Sequence, residues 1–403
     1  MRLTMKERKT VTKALSKRYR QASKAKKGLL LDEFVEATGY NRCYARRLLR
    51  EHGQRVWVAP GVAVEGDIRV RPKRAYPHIY GEQVRQPLKK IWEMMDFMNS
   101  KCLAAAMQEV VPRLVKCKEL RVKKCVQKQL LQISPATIDR LLKPEREKHT
   151  LKGRAHTKPG SLLKHQIPIR TFSDWDDQAP GFFEMDLVGH DGGSTQGDYC
   201  FTLDMVDVAT GWTEQVAVRN KARIWVFEAL QEARKRLPFV LLGLDSDNGS
   251  EFINNNMKDY CDKEKITFTR TRPFRKNDNC YVEQKNWSVV RRYVGYARYE
   301  TPEACAKLNE LYSVLRDFTN FFVPSMKLKD KTRDGAKVTK RHHVPKTPYQ
   351  RLLESKKISK AVKQRLKERY EQLNPAALWR QIRKLQKQLD KLATRRPKQE
   401  PVK

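Results

Sequence analysis

The sequence predicts a multidomain protein with an all-α N-terminal region, an α/β core, a small β hairpin module and a helical C-terminal tail. Apolar residues recur at helical spacing in residues 5–50 and again in residues 85–145. Short apolar runs bounded by turn residues alternate with amphipathic stretches over residues 181–300, which is typical of an α/β core. Helical spacing returns after residue 301. The length of 403 residues agrees with roughly two to four domains.

The charge balance points to a polyanionic partner. Lys and Arg number 84 against 46 Asp and Glu, which leaves a net charge of +38. Such an excess indicates nucleic acid or an anionic membrane surface. The eight cysteines include no C-x-x-C pair, so we expect free thiols in a reducing compartment. The N-terminus lacks a signal-peptide core and no apolar run is long enough to cross a membrane, which favours the cytoplasm.

Residues 1–52 predict a helix-turn-helix DNA-binding domain. An apolar stripe at Leu30, Leu31 and Phe34 is interrupted at Gly39, and a basic helix capped by Asn41 follows. The side chains predicted to meet bases or phosphates are Arg42, Tyr44, Arg46 and Arg47. An ordinary helical hairpin is the alternative.

Residues 53–84 predict a basic linker, because they are rich in Val, Pro, Gly and Arg. Residues 85–145 regain helical periodicity and predict a second helix-turn-helix module. Ser134 as N-cap followed by Pro135 is a specific helix start, and Arg140 on that helix is a candidate DNA contact. Two such modules suit a long recognition site, and they would also suit a large repressor. Residues 146–180 predict a basic connector in which Lys158 could follow a DNA backbone.

The core, residues 181–300, reads as strand, strand, strand, helix, strand, helix, strand, helix. The predicted strands are 182–188, 198–207, 213–219, 239–247 and 266–272, and the predicted helices are 222–237 and 251–265. Asp186 lies in the first strand, Asp247 ends the fourth, and Glu283 begins the last helix. An acid at the end of a buried strand is costly without a partner, and three carboxylates together would suit a hard divalent cation.

This arrangement resembles the catalytic core of the DDE transposases and retroviral integrases. The match rests on Asp186, on Asp247 in Asp-Asn-Gly-Ser-Glu-Phe, and on Glu283 in Val-Glu-Gln-Lys-Asn. The interval from Asp247 to Glu283 is 283 − 247 = 36 positions, so 35 residues lie between them, as that family typically shows. The resemblance covers most of the chain and is nearest to bacterial insertion-sequence transposases with an N-terminal helix-turn-helix region.

The resemblance implies a ribonuclease-H-like core in which Asp186, Asp247 and Glu283 are both the catalytic residues and the metal ligands. It implies two divalent ions, Mg²⁺ or Mn²⁺, one to activate the attacking hydroxyl and one to stabilise the leaving oxygen. The expected activity is DNA transposition: binding of terminal inverted repeats, cleavage, and joining of 3′-hydroxyl ends to target DNA. We expect a homo-oligomer on DNA, associated with the bacterial nucleoid. A nuclease that does not join ends and an inactive DNA-binding regulator are the alternatives.

Further residues are candidates near this site. Asp245, His190 and Asn286 are candidates for supporting the three acids, and Asp204 and Asp207 compete with them. The basic, breaker-rich segment before Glu283 predicts a loop that meets DNA. Its candidate contacts are Arg270, Arg272, Arg275 and Lys276, joined by Lys285, which we expect to face outward from the following helix.

Residues 301–355 predict a helix and a small β module, with Asp334-Gly335 as the turn of a hairpin. Residues 356–403 predict a basic helical tail. Its apolar residues step at heptad spacing, at Leu378, Ile382, Leu385, Leu389 and Leu392. We expect this stripe to contribute to self-association. Packing against the protein's own surface is the alternative.

Overall fold

The computed structural model describes residues 3–59, 62–66, 79–148, 179–247, 249, 251–252, 254–270, 279–335 and 337–394. The chain divides into two compact units, residues 1–79 and 80–403, where the sequence predicts seven segments. Each unit is described by itself below.

The first unit contains three helices and a hairpin. They are α1 (Met5–Gln21), α2 (Lys24–Thr38), α3 (Arg42–Glu51), β1 (Gln54–Ala59) and β2 (Val62–Gly66). Gly39 ends α2 with a φ of 66°, and the Asn41 side chain caps α3 by accepting from the Cys43 N–H at 2.9 Å. Phe34, Leu48 and Leu49 are fully buried between the helices. The prediction of a linker after residue 52 is wrong for this stretch, because its alternating valines pair as β1 and β2.

The second unit begins with four helices. They are α4 (Glu82–Met94), α5 (Ser100–Lys116), α6 (Lys124–Gln132) and α7 (Pro135–Lys148). Periodicity alone predicts one helical stretch over the first two, but Asp96 and Phe97 adopt positive φ and Asn99 caps a new helix. The Ser134 hydroxyl accepts from the Thr137 N–H at 3.2 Å, so the predicted start of α7 is correct.

A five-stranded mixed sheet forms the middle of this unit. Its elements are β3 (Phe182–Gly189), β4 (Phe201–Asp207), β5 (Thr213–Val218), α8 (Arg223–Arg236), β6 (Gly243–Ser246), α9 (Asn255–Lys263) and β7 (Thr267–Arg270). The spatial order is β5-β4-β3-β6-β7, with β3, β4 and β5 antiparallel and β6 and β7 parallel to β3. The predicted order of elements is therefore correct, although β4, β5, β6 and β7 are shorter than predicted.

The two faces of the sheet differ in polarity because successive side chains alternate between them. Phe183, Met185 and Leu203 pack on one face against α8 and α9. The register places Asp186 opposite Asp204, and Asp204 opposite Gln215, on the other face. That polar face is covered by the helices that follow β7.

Those helices are α10 (Cys280–Lys285), a π-helical stretch (Asn286–Arg291), α11 (Arg292–Val294) and α12 (Pro302–Phe322). The last of them covers the edge strand β5. The Asn309 amide exchanges two hydrogen bonds with the Ala217 backbone, and the Asn320 amide does the same with Thr213. These side chains satisfy backbone N–H and C=O groups of the edge strand that would otherwise be free to pair with another strand.

The C-terminal elements are β8 (Leu328–Asp334), β9 (Lys337–His342), α13 (Pro348–Glu354), α14 (Lys360–Gln372) and α15 (Pro375–Lys391). The predicted hairpin is present as β8 and β9. Helix α15 packs against α12, with Ile382, Leu385 and Leu389 buried in the core that α12 shares with α4 and α5. The expectation that this stripe pairs subunits is wrong, because its central side chains are buried within the same chain.

Candidate active site

Asp186 and Asp247 lie side by side at the polar face of the sheet. Met185 and Ser246 are the last register pair between the parallel strands β3 and β6, so the next residue of each strand is adjacent. Burial, and then the charge of Asp247, raise the pKa of Asp186 to about 7. Burial also raises the pKa of Asp247. Two crowded carboxylates of this kind are stabilised by a cation between them.

The orientation of Asp186 is fixed by two donors. The Asn286 Nδ2 donates to Asp186 Oδ2 at 2.6 Å, and the Leu187 N–H donates to Oδ1 at 2.8 Å. The predicted supporting residue Asn286 is therefore in direct contact with Asp186. It opens the π-helical stretch, a distortion that often occurs at functional sites.

Glu283 lies on α10, three residues before Asn286 and so on the same side of the helix. Its side chain is exposed. Among the residues described, no three His, Cys, Asp or Glu side chains are grouped closely enough to hold a metal. The structure thus brings Asp186 and Asp247 together and leaves Glu283 at the solvent side of α10.

Glu184 joins α10 to the sheet. One oxygen of this buried carboxylate accepts from the N–H groups of Tyr281 at 2.9 Å and Val282 at 3.0 Å. Free N–H groups at a helix start favour a negative charge, so Glu184 holds the helix that carries Glu283 and Asn286. This role of Glu184 was not predicted from the sequence. The available signal was a second acid in the apolar run from Phe182 to Val188.

Lys285 is buried beneath the site rather than facing outward. It is 7% exposed, and burial lowers its pKa to about 8 against the opposing charge of Asp204. The Asp204 carboxylate accepts from Gln215 at 2.8 Å, and burial raises its pKa to about 6. The prediction that Lys285 faces DNA is wrong, because Val282, Lys285 and Val289 form the buried side of the helix.

Other predicted residues are also interior. His190 is fully buried, its Nε2 hydrogen-bonds the Thr202 hydroxyl at 2.8 Å, and burial lowers its pKa to about 3. This burial against Thr202 argues against the predicted role of His190 in positioning water or phosphate. Asp245 accepts from the Thr269 hydroxyl at 2.6 Å. Arg270, predicted to contact DNA, is buried at the end of β7.

The competing acid Asp207 has a separate structural role. It accepts from the Gly181 N–H at 2.8 Å and from the Thr210 N–H at 2.7 Å. These bonds hold the turn after β4, so Asp207 is a turn residue.

The remaining predicted DNA contacts fall into two groups. Exposed positions on α3 and α7 are Arg42, Tyr44, Arg46, Arg47 and Arg140. Arg42 pairs with Asp32, and Tyr44 stacks edge to face on Tyr40. Outside the described residues lie Lys158, Arg272, Arg275 and Lys276.

In the described part of the chain, no helix is long and apolar enough to cross a membrane.

Part of the second unit matches a known protein family. Residues 176–276 match the family described as Integrase core domain, a span that includes Asp186 and Asp247 and ends before Glu283. The chain belongs to the DDE transposase and retroviral integrase superfamily. An integrase core is a domain of polynucleotidyl transferases.

One relative matches along most of the chain. The uncharacterized protein y4rM of Sinorhizobium fredii is 40% identical over 350 residues, which are 87% of this chain and 96% of that protein. The catalytic core of BIV integrase is 19% identical over 43% of this chain and 95% of its own, with a TM-score of 0.29. The HTLV-2 integrase core in complex with magnesium is 15% identical over 36% of this chain and 90% of its own, with a TM-score of 0.28.

Proposed function

We propose that the protein is a DDE-type DNA transposase. It binds the terminal inverted repeats of a mobile element, cleaves the DNA there and joins the 3′-hydroxyl ends to target DNA. The observation that carries the proposal is the environment of Asp186. Asp247 lies beside it, and Asn286, from the helix that bears Glu283, is hydrogen-bonded to it. The integrase core match and the net charge of +38 agree with this activity.

The donor set fits a hard divalent cation. Asp186 and Asp247 offer anionic oxygens, and burial raises the pKa of each carboxyl, so a bound cation would stabilise their charged forms. Asp186, Asp247 and Glu283 would hold two ions of Mg²⁺ or Mn²⁺. Such ions supply Lewis-acid stabilisation of the attacking and leaving oxygens of an in-line displacement.

The chain's own groups orient these carboxylates. Asn286 and the Leu187 N–H hold the two oxygens of Asp186, and the Gly249 N–H donates to Asp247 Oδ1 at 3.0 Å. Glu184 holds the start of α10, the helix that carries Glu283 and leads into Asn286, on β3. No covalent protein intermediate is required.

Sequence-specific binding is assigned to the helix-turn-helix candidates. In the first unit, α2, the turn at Gly39 and α3 present a basic, exposed helix face. In the second unit, α7 presents Arg140. Both helices carry arginines that can reach base edges or phosphates.

The test combines purified full-length protein, DNA carrying the element ends, a plasmid target and Mg²⁺. We expect joined products, and none in EDTA. Asp186→Asn should abolish cleavage and joining, whereas Asp259→Asn, an exposed acid on α9, should leave both intact. Cleavage without joining would favour the nuclease alternative. Specific binding without either reaction would favour the inactive regulator and refute the proposal.

A further inference from the structure

Helix α15 has a buried apolar side and an exposed basic side. Ile382, Leu385 and Leu389 are buried in the core of the second unit. The opposite side recurs at helical spacing and consists of the exposed residues Arg380, Arg383, Lys384, Lys387 and Lys391. Among the described residues, no carboxylate forms an ion pair with Lys384, Lys387 or Lys391. Because the apolar side is buried in the core, the backbone that carries these cations is held in a fixed position.

A second basic feature lies between α4 and the connection from α5 to α6. It is a groove with a volume of ≈ 850 Å³. Its exposed cations are Lys90, Lys118, Arg121 and Lys123. The groove also contains one acid, Glu119.

Glu119 connects the two features. Arg380 of α15 donates to both of its oxygens, at 2.9 and 2.7 Å, and the Lys90 ammonium donates to its backbone carbonyl at 2.8 Å. The groove and the basic side of α15 are therefore adjacent and form one continuous surface. Its acid is already paired within the protein, so the surface as a whole stays strongly positive.

We propose that this surface, made of the groove and the basic side of α15, binds the phosphate backbone of duplex DNA without reading its sequence. The inference rests on the proposed function only in taking DNA as the partner. From Arg380 to Lys391 the helix rises roughly 17 Å at about 1.5 Å per residue, which matches about five base-pair steps of a duplex. Lysines dominate this side, and an ammonium on a flexible stem suits phosphate better than a base edge.

The same geometry argues against a membrane as the partner. A helix that lies on a bilayer inserts its apolar side among the lipids. The apolar side of α15 is already buried against α12, and its outer side carries no exposed large apolar residue. Binding to the outer side of α15 must therefore rely on electrostatic attraction. A linear polyanion is the partner that matches an elongated row of cations.

The first test is a footprint of lysine reactivity on the full-length protein in EDTA. Acetylation is followed by mass spectrometry with and without a random-sequence duplex that lacks element ends. The lysines expected to react several-fold more slowly with DNA are Lys90, Lys118, Lys123, Lys384, Lys387 and Lys391. Lys360 and Lys367 on α14 are the reference positions. Equal protection of both sets, no protection, or protection by phosphatidylserine vesicles instead of duplex would overturn the proposal.

The second test compares two triple variants that lose the same charge. Lys384→Gln, Lys387→Gln and Lys391→Gln together should make the slope of log affinity against log salt shallower by about 2 to 3, at about 0.9 per phosphate contact. The matched control replaces Lys360, Arg365 and Lys367 by Gln and should leave the slope unchanged. Equal effects, or none, would overturn the proposal. Because both tests omit metal and element ends, their outcome is independent of whether the protein cleaves and joins DNA.

Discussion

Replacing Asp186 by Asn should stabilise the metal-free protein at neutral and alkaline pH while abolishing cleavage and joining. The Asn side chain keeps the shape of Asp and removes the charge that crowds Asp247. The neighbourhood can accommodate it, because the Oδ1 of Asn286 is buried without a hydrogen-bond partner among the described groups. If the Asn286 amide turns over, that oxygen can accept from the new amide.

The magnitude follows from the two pKa values of Asp186. Its pKa is about 7 in the folded protein and has an ordinary value of 3.8. The folded state therefore holds a proton that the unfolded chain has lost between these values, and stability falls as pH rises through that window. A separation of about 3 pH units corresponds to at most about 4 kcal/mol, since one unit is about 1.4 kcal/mol. We expect about 2 kcal/mol, because water at this partly exposed site screens the charges.

The assay is denaturant unfolding in EDTA at pH 4.5 and pH 8, for the wild type, Asp186→Asn and the control Asp259→Asn. The substitution at Asp186 should give a small change at the lower pH and a gain of stability at the higher pH. The control should show no such dependence. Added Mg²⁺ should stabilise the wild type more than Asp186→Asn, because a ligand of the native state shifts the unfolding equilibrium. Equal effects of Asp186→Asn at both pH values would refute the crowding of Asp186 and Asp247.

Three further predictions concern the other acids, the C-terminal helix and the first unit. Glu283→Gln should abolish cleavage and joining without changing the melting temperature, because the side chain is exposed; retained turnover would remove Glu283 from the site. Leu385→Asp together with Leu389→Asp should destabilise the fold by more than about 4 kcal/mol, because both side chains are buried; an unchanged melting curve would contradict the packing of α15 on α12. Residues 1–79 alone should fold, as measured by circular dichroism, and bind element ends in preference to random DNA; equal affinity for both would move recognition to the second unit.

Local signals in the sequence were sufficient for the order of elements and for two of the proposed ligands. The short apolar runs that form β3, β4 and β5 predict strands because such a pattern depends only on neighbouring residues. Asp186 and Asp247 were expected together because they lie in predicted strands and match the motifs of the integrase family, and the parallel pairing of β3 with β6 makes them neighbours. The caps at Asn41 and Ser134 were equally readable, since a cap needs only the next three residues.

The tertiary structure decided which side of each helix is buried. An apolar stripe predicts that a helix packs but does not say against what, so only the fold assigns α15 to α12 rather than to a second subunit. Lysine is usually a surface residue, yet Lys285 is buried because the short α10 lies across the polar face of the sheet. Glu184 acquired its partners from residues nearly a hundred positions away. Such contacts depend on the path of the whole chain, and no local pattern encodes them.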